Sequence, residues 1–242
     1  MRIAILDDEP VELELLSRAL GSYILPDGTS PICTQFSSSK ELLRRFRQET
    51  FDLVFLDWQV AEINGLQVLQ WINEHLVPPP PVIMLTSRTA EQDVVQALNA
   101  GAAEYVSKPF RQGELLARLN NVIRRHTQDN VTSEAFLAFG NVRFNAQEGL
   151  VTVNDKPVDM TLREFNLALL LFKNQGRPLS RGYLYDHLWS RDEHLSSRTL
   201  DTHIYRIRNK LQLTSEFGWA LSTVYGYGYR LEAVDGKAGA EE

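Results

Sequence analysis

The chain has 242 residues, an apolar fraction of 43% and a formal net charge of −6, so one large or two ordinary folded domains are expected. The acidic balance excludes a general attraction to nucleic acid or to anionic membranes. The single cysteine, Cys33, excludes an internal disulfide and is typical of a reducing cytosol. No apolar run approaches the roughly 18 residues of a membrane span, and Met1-Arg2 leads straight into a predicted strand. We therefore expect a cytoplasmic protein without membrane contact.

Residues 1–125 alternate short apolar runs with amphipathic stretches. The runs are "RIAIL", "FDLVFLD", "PVIMLT" and "AEYVSKP", and helical patterns separate them. Strands that are apolar on both faces and alternate with helices indicate a parallel α/β sheet. The polar, aperiodic stretch that follows predicts a linker over 126–135.

Residues 136–232 have a different rhythm, which predicts a second domain. Short alternating segments, "LAFGNVRFN" and "GLVTVNDKPVDM", predict an antiparallel sheet with a turn at Asn154-Asp155. Three helical patterns follow, and the first opens with the capping-box pair Thr161 and Glu164. The Gly- and Tyr-rich segment "ALSTVYGYGYRL" predicts a hairpin, and 233–242 is expected to be a flexible tail.

Polar side chains stand where the predicted strands of the first domain end. Asp7 and Asp8 follow the first strand, and Asp57, Thr86 and Lys108 end three later ones. The carboxyl ends of parallel strands share one edge of a sheet, where three carboxylates repel one another by about 1–4 kcal/mol per pair at ~4 Å. A single strand-end acid is usually only a solvated loop residue. The whole set instead favours a site for a hard divalent cation, and oxygen ligands suit Mg²⁺.

The first 125 residues resemble the receiver domain of bacterial two-component response regulators. "DDE" near the start, Asp57 with Gly65 eight residues on, Thr86 and Lys108-Pro109 follow the order of that family. The resemblance implies that Asp57 accepts a phosphoryl group from the phosphohistidine of a sensor histidine kinase. It also implies that Asp7, Asp8, Asp57 and the backbone carbonyl of Gln59 bind Mg²⁺.

The same resemblance implies a conformational switch. Lys108 would pair with the phosphoryl group, and its peptide bond to Pro109 is expected to be cis. The Thr86 hydroxyl would move toward the phosphoryl group, and Tyr105 would rotate inward. That movement would favour a homodimer through the fourth and fifth helices, predicted at about 90–100 and 111–124.

Two departures from the receiver pattern affect these expectations. The loop after the phosphoacceptor reads "WQVAEING", with Gln59 and Ala61 in place of the usual residues, which leaves the stiffness of the loop in question. On the dimer face, Asp93, Glu104, Glu114 and Arg118 remain for ion pairs, fewer than the family usually has. Exposed pairs contribute only about 0–1 kcal/mol each, so we expect a weaker or altered dimer.

The third helix of the second domain predicts a nucleic-acid interface. Its apolar residues form one stripe with a period of about 100° per residue, and cationic and hydrogen-bonding side chains lie on the far side. Such a helix suits the DNA major groove, although the helix alone is equally compatible with a solvated surface. The stripe comprises Leu200, Ile204, Ile207 and Leu211.

The second domain resembles the winged-helix effector of the OmpR/PhoB family. "MTLREFNLALLLFKNQGRPLSRGYLYDHLW", "RTLDTHIYRIRNKL" and "STVYGYGYRL" carry the likeness, which implies a recognition helix at 196–211, a wing at 221–231 and an RNA polymerase contact in "SRDEHLS". The implied phosphate contacts are Trp189, Arg198, Thr199, Arg206 and Thr223. The implied base contacts are Thr202, His203, Tyr205 and Arg206, with Arg208 at the flank of the helix.

The wing has Tyr225 where the family usually has arginine. Tyrosine does not suit a narrow, electronegative minor groove. The recognition helix has Tyr205 where a basic residue is common. Fewer cations predict weaker non-specific binding and a shallower salt dependence.

These resemblances imply a receiver domain with a doubly wound, five-stranded parallel α/β sheet, followed by a winged helix-turn-helix domain with an N-terminal antiparallel sheet. The chain would be a phosphorylation-activated, sequence-specific transcription factor and not a turnover enzyme. Three alternatives stay open at this stage. The first is a regulator of the same fold that is switched without phosphorylation. The second is an Mg²⁺-dependent hydrolase, for which Gln59 stands where one common phosphatase type needs an acid. The third is a protein-interaction relay, which the basic recognition helix disfavours.

Overall fold

The computed structural model describes residues 1–25, 28–88, 90–128, 136–189 and 197–234, without the side chains of 127–128 and 197–198. The chain divides into two compact units, Met1–Asn130 and Val131–Glu242. Within the part of the chain that the structure describes, no helix has both the length and the apolar character of a membrane span.

The first unit is a five-stranded parallel sheet with helices on both faces, as the sequence predicted. Its strands are β1 (Arg2–Leu6), β2 (Ile32–Phe36), β3 (Leu53–Asp57), β4 (Val82–Thr86) and β5 (Glu104–Ser107), in the order β2-β1-β3-β4-β5. Its helices are α1 (Pro10–Gly21), α2 (Ser39–Phe46), α3 (Gly65–His75), α4 (Glu91–Asn99) and α5 (Gln112–Gln128). Every residue of β1, β3 and β4 is buried, because helices cover both sides of a parallel sheet.

The register of this sheet brings the predicted polar residues together. Leu6 of β1 lies opposite Leu56 of β3, so the residues that follow, Asp7 and Asp57, emerge side by side. Strand β1 also lies at the point where the chain order of the strands reverses, which is where doubly wound sheets form their sites.

The second unit has two antiparallel sheets, three α-helices and one short 3₁₀ helix (Ser215–Phe217) in its described part. The first sheet has the order β6-β7-β8-β9, and the second has the order β10-β12-β11. The strands are β6 (Phe136–Phe139), β7 (Val142–Asn145), β8 (Leu150–Val153), β9 (Lys156–Val158), β10 (Leu179–Ser180), β11 (Trp219–Val224) and β12 (Gly228–Ala233). The helices are α6 (Leu162–Lys173), α7 (Arg181–Leu188) and α8 (Ser197–Lys210).

Local signals in the sequence account for several of these boundaries. Asn154 and Asp155 have φ values of 50° and 60°, and positive φ at both central residues is the geometry of a two-residue hairpin turn. Thr161 and Glu164 form the predicted capping box at the start of α6. The stripe of α8 is buried as predicted: Leu200, Ile204, Ile207 and Leu211 are at most 2% exposed.

Candidate functional site

Three carboxylates converge at the carboxyl ends of β1 and β3. Asp7, Asp8 and Asp57 each offer an oxygen, and these atoms all lie within 4.8 Å of one another. Asp7 and Asp57 are buried, whereas Asp8 is exposed and accepts a hydrogen bond from the backbone N–H of Ala61 at 3.1 Å. Buried and exposed carboxylate oxygens in one cluster suit a hard divalent cation that also binds water.

Lys108 lies directly against this cluster. Its Nζ is 2.6 Å from Asp7 Oδ2 and 3.5 Å from Asp57 Oδ1, and its peptide bond to Pro109 is cis. Burial tends to lower the pKa of Lys108, but the bond to Asp7 and the charge of Asp57 outweigh it and raise the pKa above its ordinary value. The ammonium is therefore charged, and it partly neutralises the two buried acids.

Burial also shapes the chemistry of Asp57. Desolvation raises the pKa of Asp57 to about 6, although the charge of Lys108 and hydrogen bonds from the backbone of Trp58 and Gln59 lower it. The nearby charge of Asp7 acts in the same direction as burial. The result is a carboxylate that is mostly ionised at neutral pH and poorly solvated, which suits a nucleophile.

The loop after Asp57 is held by close backbone contacts. A Cβ atom on Gly65 would lie 2.0 Å from the Asp57 carbonyl oxygen, so only glycine fits there. The N–H of Gly65 donates to the Trp58 carbonyl at 3.0 Å. The Gln59 side chain accepts a hydrogen bond from Ser87 at 3.3 Å, which connects this loop to the loop after β4.

The two predicted switch residues are both buried. Thr86 is fully buried, and its Oγ1 accepts a hydrogen bond from the backbone N–H of Arg88 at 3.1 Å. Tyr105 lies inward at 9% exposure, and its hydroxyl has no hydrogen-bond partner among the described residues. Burial, followed by the charge of Asp93, raises the pKa of Tyr105.

The charges of the predicted dimer face pair within one chain. Arg118 contacts Glu104 at 3.1 Å and Glu114 at 2.8 Å. Asp93 contacts Arg88 at 3.2 Å, and the Arg88 guanidinium lies 5.4 Å from the Trp58 ring centroid. Arg88 was not among the predicted residues, because nothing in its local sequence pattern indicates these contacts.

Only part of the predicted DNA-contacting set faces solvent. Thr202, Arg206 and Thr223 are exposed, Tyr205 is 63% exposed, and Tyr225 at the hairpin tip is fully exposed. Thr199 is partly buried. The side chain of Arg198 and the whole of 190–196 lie outside the described residues.

Three other residues of that set point into the protein. Trp189 is buried, and its indole Nε1 has no hydrogen-bond partner among the described residues. His203 packs beside it, with 5.9 Å between the ring centroids, and burial lowers the pKa of its imidazole. Arg208 donates to the Leu221 carbonyl at 2.8 Å. In this structure these three side chains are committed to internal contacts.

A buried acid, Glu164, holds α8 against α6 through contacts with Lys210 and Arg206. The sequence predicted Glu164 only as part of a helix cap. Glu164 is 1% exposed and accepts a hydrogen bond from Lys210 Nζ at 2.9 Å. Arg206 lies 3.9 Å from the same carboxylate. Burial tends to raise the pKa of Glu164, but the hydrogen bonds from Lys210 and the Thr161 backbone hold it below its ordinary value.

Comparison with known proteins identifies both units. A model of the response regulator receiver domain matches residues 3–120, and a model described as transcriptional regulatory protein, C terminal, matches residues 155–231. The sensory transduction protein RegX3 of Mycolicibacterium smegmatis is 34% identical over 232 residues, covering 95% of this chain and 98% of that protein. The response regulator SaeR of Staphylococcus aureus is 32% identical over 199 residues, covering 82% of this chain and 86% of that protein.

A solved structure of similar length also matches. It is the response regulator DrrB, an OmpR/PhoB homologue from Thermotoga maritima, with 27% identity and coverage of 96% of this chain and 99% of that chain. The TM-score is 0.45.

Proposed function

The chain belongs to the OmpR/PhoB family of two-component response regulators, which are phosphorylation-activated transcriptional regulators, and we propose that Asp57 is its phosphoacceptor. The observation that carries this proposal is the position of Lys108, 2.6 Å from Asp7 and 3.5 Å from Asp57. A cation beside a buried, poorly solvated carboxylate is the arrangement that phosphoryl transfer to that carboxylate requires.

The chain's own residues account for most of the transfer chemistry. A carboxylate oxygen of Asp57 attacks the phosphorus in line, the new O–P bond forms, and the N–P bond to the kinase histidine breaks. Lys108 neutralises charge on the transferring group without moving far, since its ammonium already lies at the site. Charge neutralisation and placement are the main sources of catalysis in such transfers.

The acidic cluster fits a resident cation, and we assign it to Mg²⁺. Asp7, Asp8, Asp57 and the backbone carbonyl of Gln59 would hold the ion, because oxygen atoms from three carboxylates lie within 4.8 Å of one another. When bound, Mg²⁺ supplies positive charge to the transferring phosphoryl group. The repulsion among three clustered acids supports the same assignment.

The switch is proposed to start at Thr86. Its hydroxyl would donate to the phosphoryl group on Asp57. The phosphorylated state would also favour the inward position of Tyr105. A phosphoryl group shifts this equilibrium by contacting one conformation better than the other. The expected result is a homodimer through α4 and α5. On α4, the apolar side chains of Val95 and Leu98 are 49% and 46% exposed.

The second unit is proposed to read double-stranded DNA with α8 and the hairpin β11–β12. The exposed side chains Thr202, Tyr205 and Arg206 would face the major groove, and Tyr225 at the hairpin tip would face the minor groove. We keep the predicted bounds of 1–125 for the receiver, 126–135 for the linker and 136–232 for the DNA-binding domain. The chain is proposed to act in the cytoplasm. Its other proposed partners are a sensor histidine kinase and RNA polymerase, which 190–196 would contact.

The phosphoacceptor is tested by incubation with Mg²⁺ and acetyl phosphate, followed by intact mass and peptide mapping. A stable species with one phosphoryl group on Asp57 is expected, and Asp57→Asn should remove it while preserving the melting curve. Equal labelling of Asp57→Asn, mapped to another residue, would overturn the assignment. Continuous release of phosphate without a stable adduct would indicate a hydrolase instead.

A further inference from the structure

The helix proposed to read DNA is tied to the hairpin by side chains that no sequence pattern indicated. One flank of α8 carries Asp201 and Arg208, and both point toward β11 and β12. Asp201 is exposed and lies one helical turn from Tyr205, but its carboxylate contacts Arg181 and Tyr229. The contacts on this flank therefore join the two elements proposed to face DNA.

The first tie joins α8 to β12. The Tyr229 hydroxyl donates to Asp201 Oδ1 at 2.5 Å, and Arg181 Nη2 contacts the same oxygen at 2.6 Å. Tyr229 is only 5% exposed, and the Arg181 guanidinium lies 5.5 Å from its ring centroid. Burial and the bond to Asp201 raise the pKa of Tyr229 to about 12, so its hydroxyl stays protonated and remains a donor.

The second tie joins α8 to β11. Arg208 Nη2 donates to the Leu221 carbonyl at 2.8 Å. Leu221 and Tyr229 lie on the two strands of one hairpin, which pair from Trp219↔Ala233 to Val224↔Gly228. Each strand of the hairpin thus has its own connection to the recognition helix.

The tip end of the hairpin also lies directly against β10 and the start of α7. The Arg181 N–H donates to the Tyr227 carbonyl at 3.0 Å. A Cβ atom on Gly228 would lie 2.0 Å from the Leu179 carbonyl oxygen, so glycine alone permits this approach. Backbone contact at this distance leaves the hairpin little freedom to tilt away from the helices.

We propose that Arg181, Asp201, Arg208 and Tyr229 form a wing clamp, which fixes the position of the hairpin tip relative to the recognition helix. On this basis the four are positioning residues for DNA reading and not DNA contacts. Arg208 would then have a different role from the expected DNA contact, and the clamp rests on the DNA-binding function proposed for the second unit. Because the clamp orders the hairpin before binding, a contact made at the tip avoids the entropy loss of ordering it.

The test is a double-mutant cycle between the clamp and the hairpin tip. Tyr225→Arg adds a cation at the fully exposed tip, and Tyr229→Phe removes only the clamp hydroxyl. Wild-type protein first selects one DNA duplex from a random pool. Fluorescence anisotropy with the full chain then measures the affinity for that duplex and the salt slope, which is the change of log affinity with log salt concentration. With the clamp intact, Tyr225→Arg should tighten binding and steepen the salt slope by about one unit.

In the Tyr229→Phe background both gains should be smaller, because the position of the added cation is less well fixed. Ser222→Ala is the matched control, since among the described residues its hydroxyl donates within the hairpin, to the Arg230 carbonyl at 3.4 Å, and it should leave both gains unchanged. Arg208→Met provides a second clamp variant if Tyr229→Phe does not fold. Thermal melts establish which variants are folded.

Three results would overturn the clamp. One is equal gains from Tyr225→Arg in the wild-type and clamp-deficient backgrounds. Another is a Tyr225→Arg variant that gains nothing with the clamp intact, because the tip would then not lie at the DNA. The third is an Arg208→Met variant whose only effect is a salt slope lower by about one unit, which identifies a phosphate contact. A wild-type chain that selects no duplex would instead refute DNA binding itself.

Discussion

Replacement of Gly65 by alanine tests how closely the phosphoacceptor loop is held. The new Cβ would lie 2.0 Å from the Asp57 carbonyl oxygen, 2.9 Å from its carbonyl carbon and 3.1 Å from the Trp58 Cα. All three are backbone atoms, so no flexible side chain can move aside. To restore ordinary van der Waals contact, the peptide that follows Asp57 must shift by roughly 1 Å or more.

That shift should affect stability and phosphorylation together. Overpacking of this kind costs about 1–3 kcal/mol, and each kcal/mol lowers the melting temperature by about 2–4 °C in a chain of this size. A displacement of about 1 Å at a reacting group can slow the chemistry by about 10²-fold. We therefore expect Gly65→Ala to melt earlier and to be phosphorylated by acetyl phosphate far more slowly than wild type.

The assay follows the mass of the intact chain over time at fixed Mg²⁺ and acetyl phosphate, with a thermal melt of each variant. Gly113→Ala is the control, because no heavy atom lies within 4 Å of its added Cβ and alanine favours the helix there. If Gly65→Ala matched Gly113→Ala in both melting temperature and rate of labelling, the close backbone contact would not govern the position of Asp57.

Asp8→Ala should abolish a Mg²⁺ affinity in the micromolar-to-millimolar range, measured by calorimetry, and an unchanged titration would contradict the metal assignment. Glu164→Gln should lower the free energy of unfolding near neutral pH, because the pKa of Glu164 is held below its ordinary value. Such a group stabilises the fold above the unfolded pKa of about 4.3 and loses that contribution as pH falls through its folded value. The difference in free energy of unfolding between Glu164→Gln and wild type, measured by urea denaturation, should therefore disappear in acid. A difference that is constant with pH would refute the reasoning. Arg206→Ala should weaken specific DNA binding by about 1–3 kcal/mol if it contacts a base, or lower the salt slope by about one unit if it contacts phosphate. Wild-type behaviour in anisotropy titrations would place the interface elsewhere.

The amino-acid sequence by itself determined most of the elements, though not β2 (Ile32–Phe36), and it determined the chemistry at the strand ends. Period-two and period-3.6 patterns are local, and so are the capping box of Thr161 and Glu164 and the turn at Asn154-Asp155. The cluster of Asp7, Asp8 and Asp57 was also predictable, because parallel strands end at a common edge. A general rule of sheet geometry was enough to join residues that are 50 positions apart in the chain.

Only the tertiary structure decided which polar side chains face inward. Groups that suit a nucleic-acid contact are present on Trp189, His203 and Arg208. However, Nε1 of Trp189 and Nδ1 of His203 are buried, and the Arg208 guanidinium donates to the Leu221 carbonyl. Helical period places Arg208 on a flank, but it does not say what packs there.

The same reason explains why the wing clamp was not predicted. Asp201 and Tyr229 are 28 residues apart in the chain, and Arg181 comes from a third element. Their contact depends on the angle at which the hairpin packs on the helices. It also depends on Gly228, which permits the close approach to the Leu179 carbonyl. Periodicity reports the face on which a residue lies, whereas packing among distant elements decides which atoms that face meets.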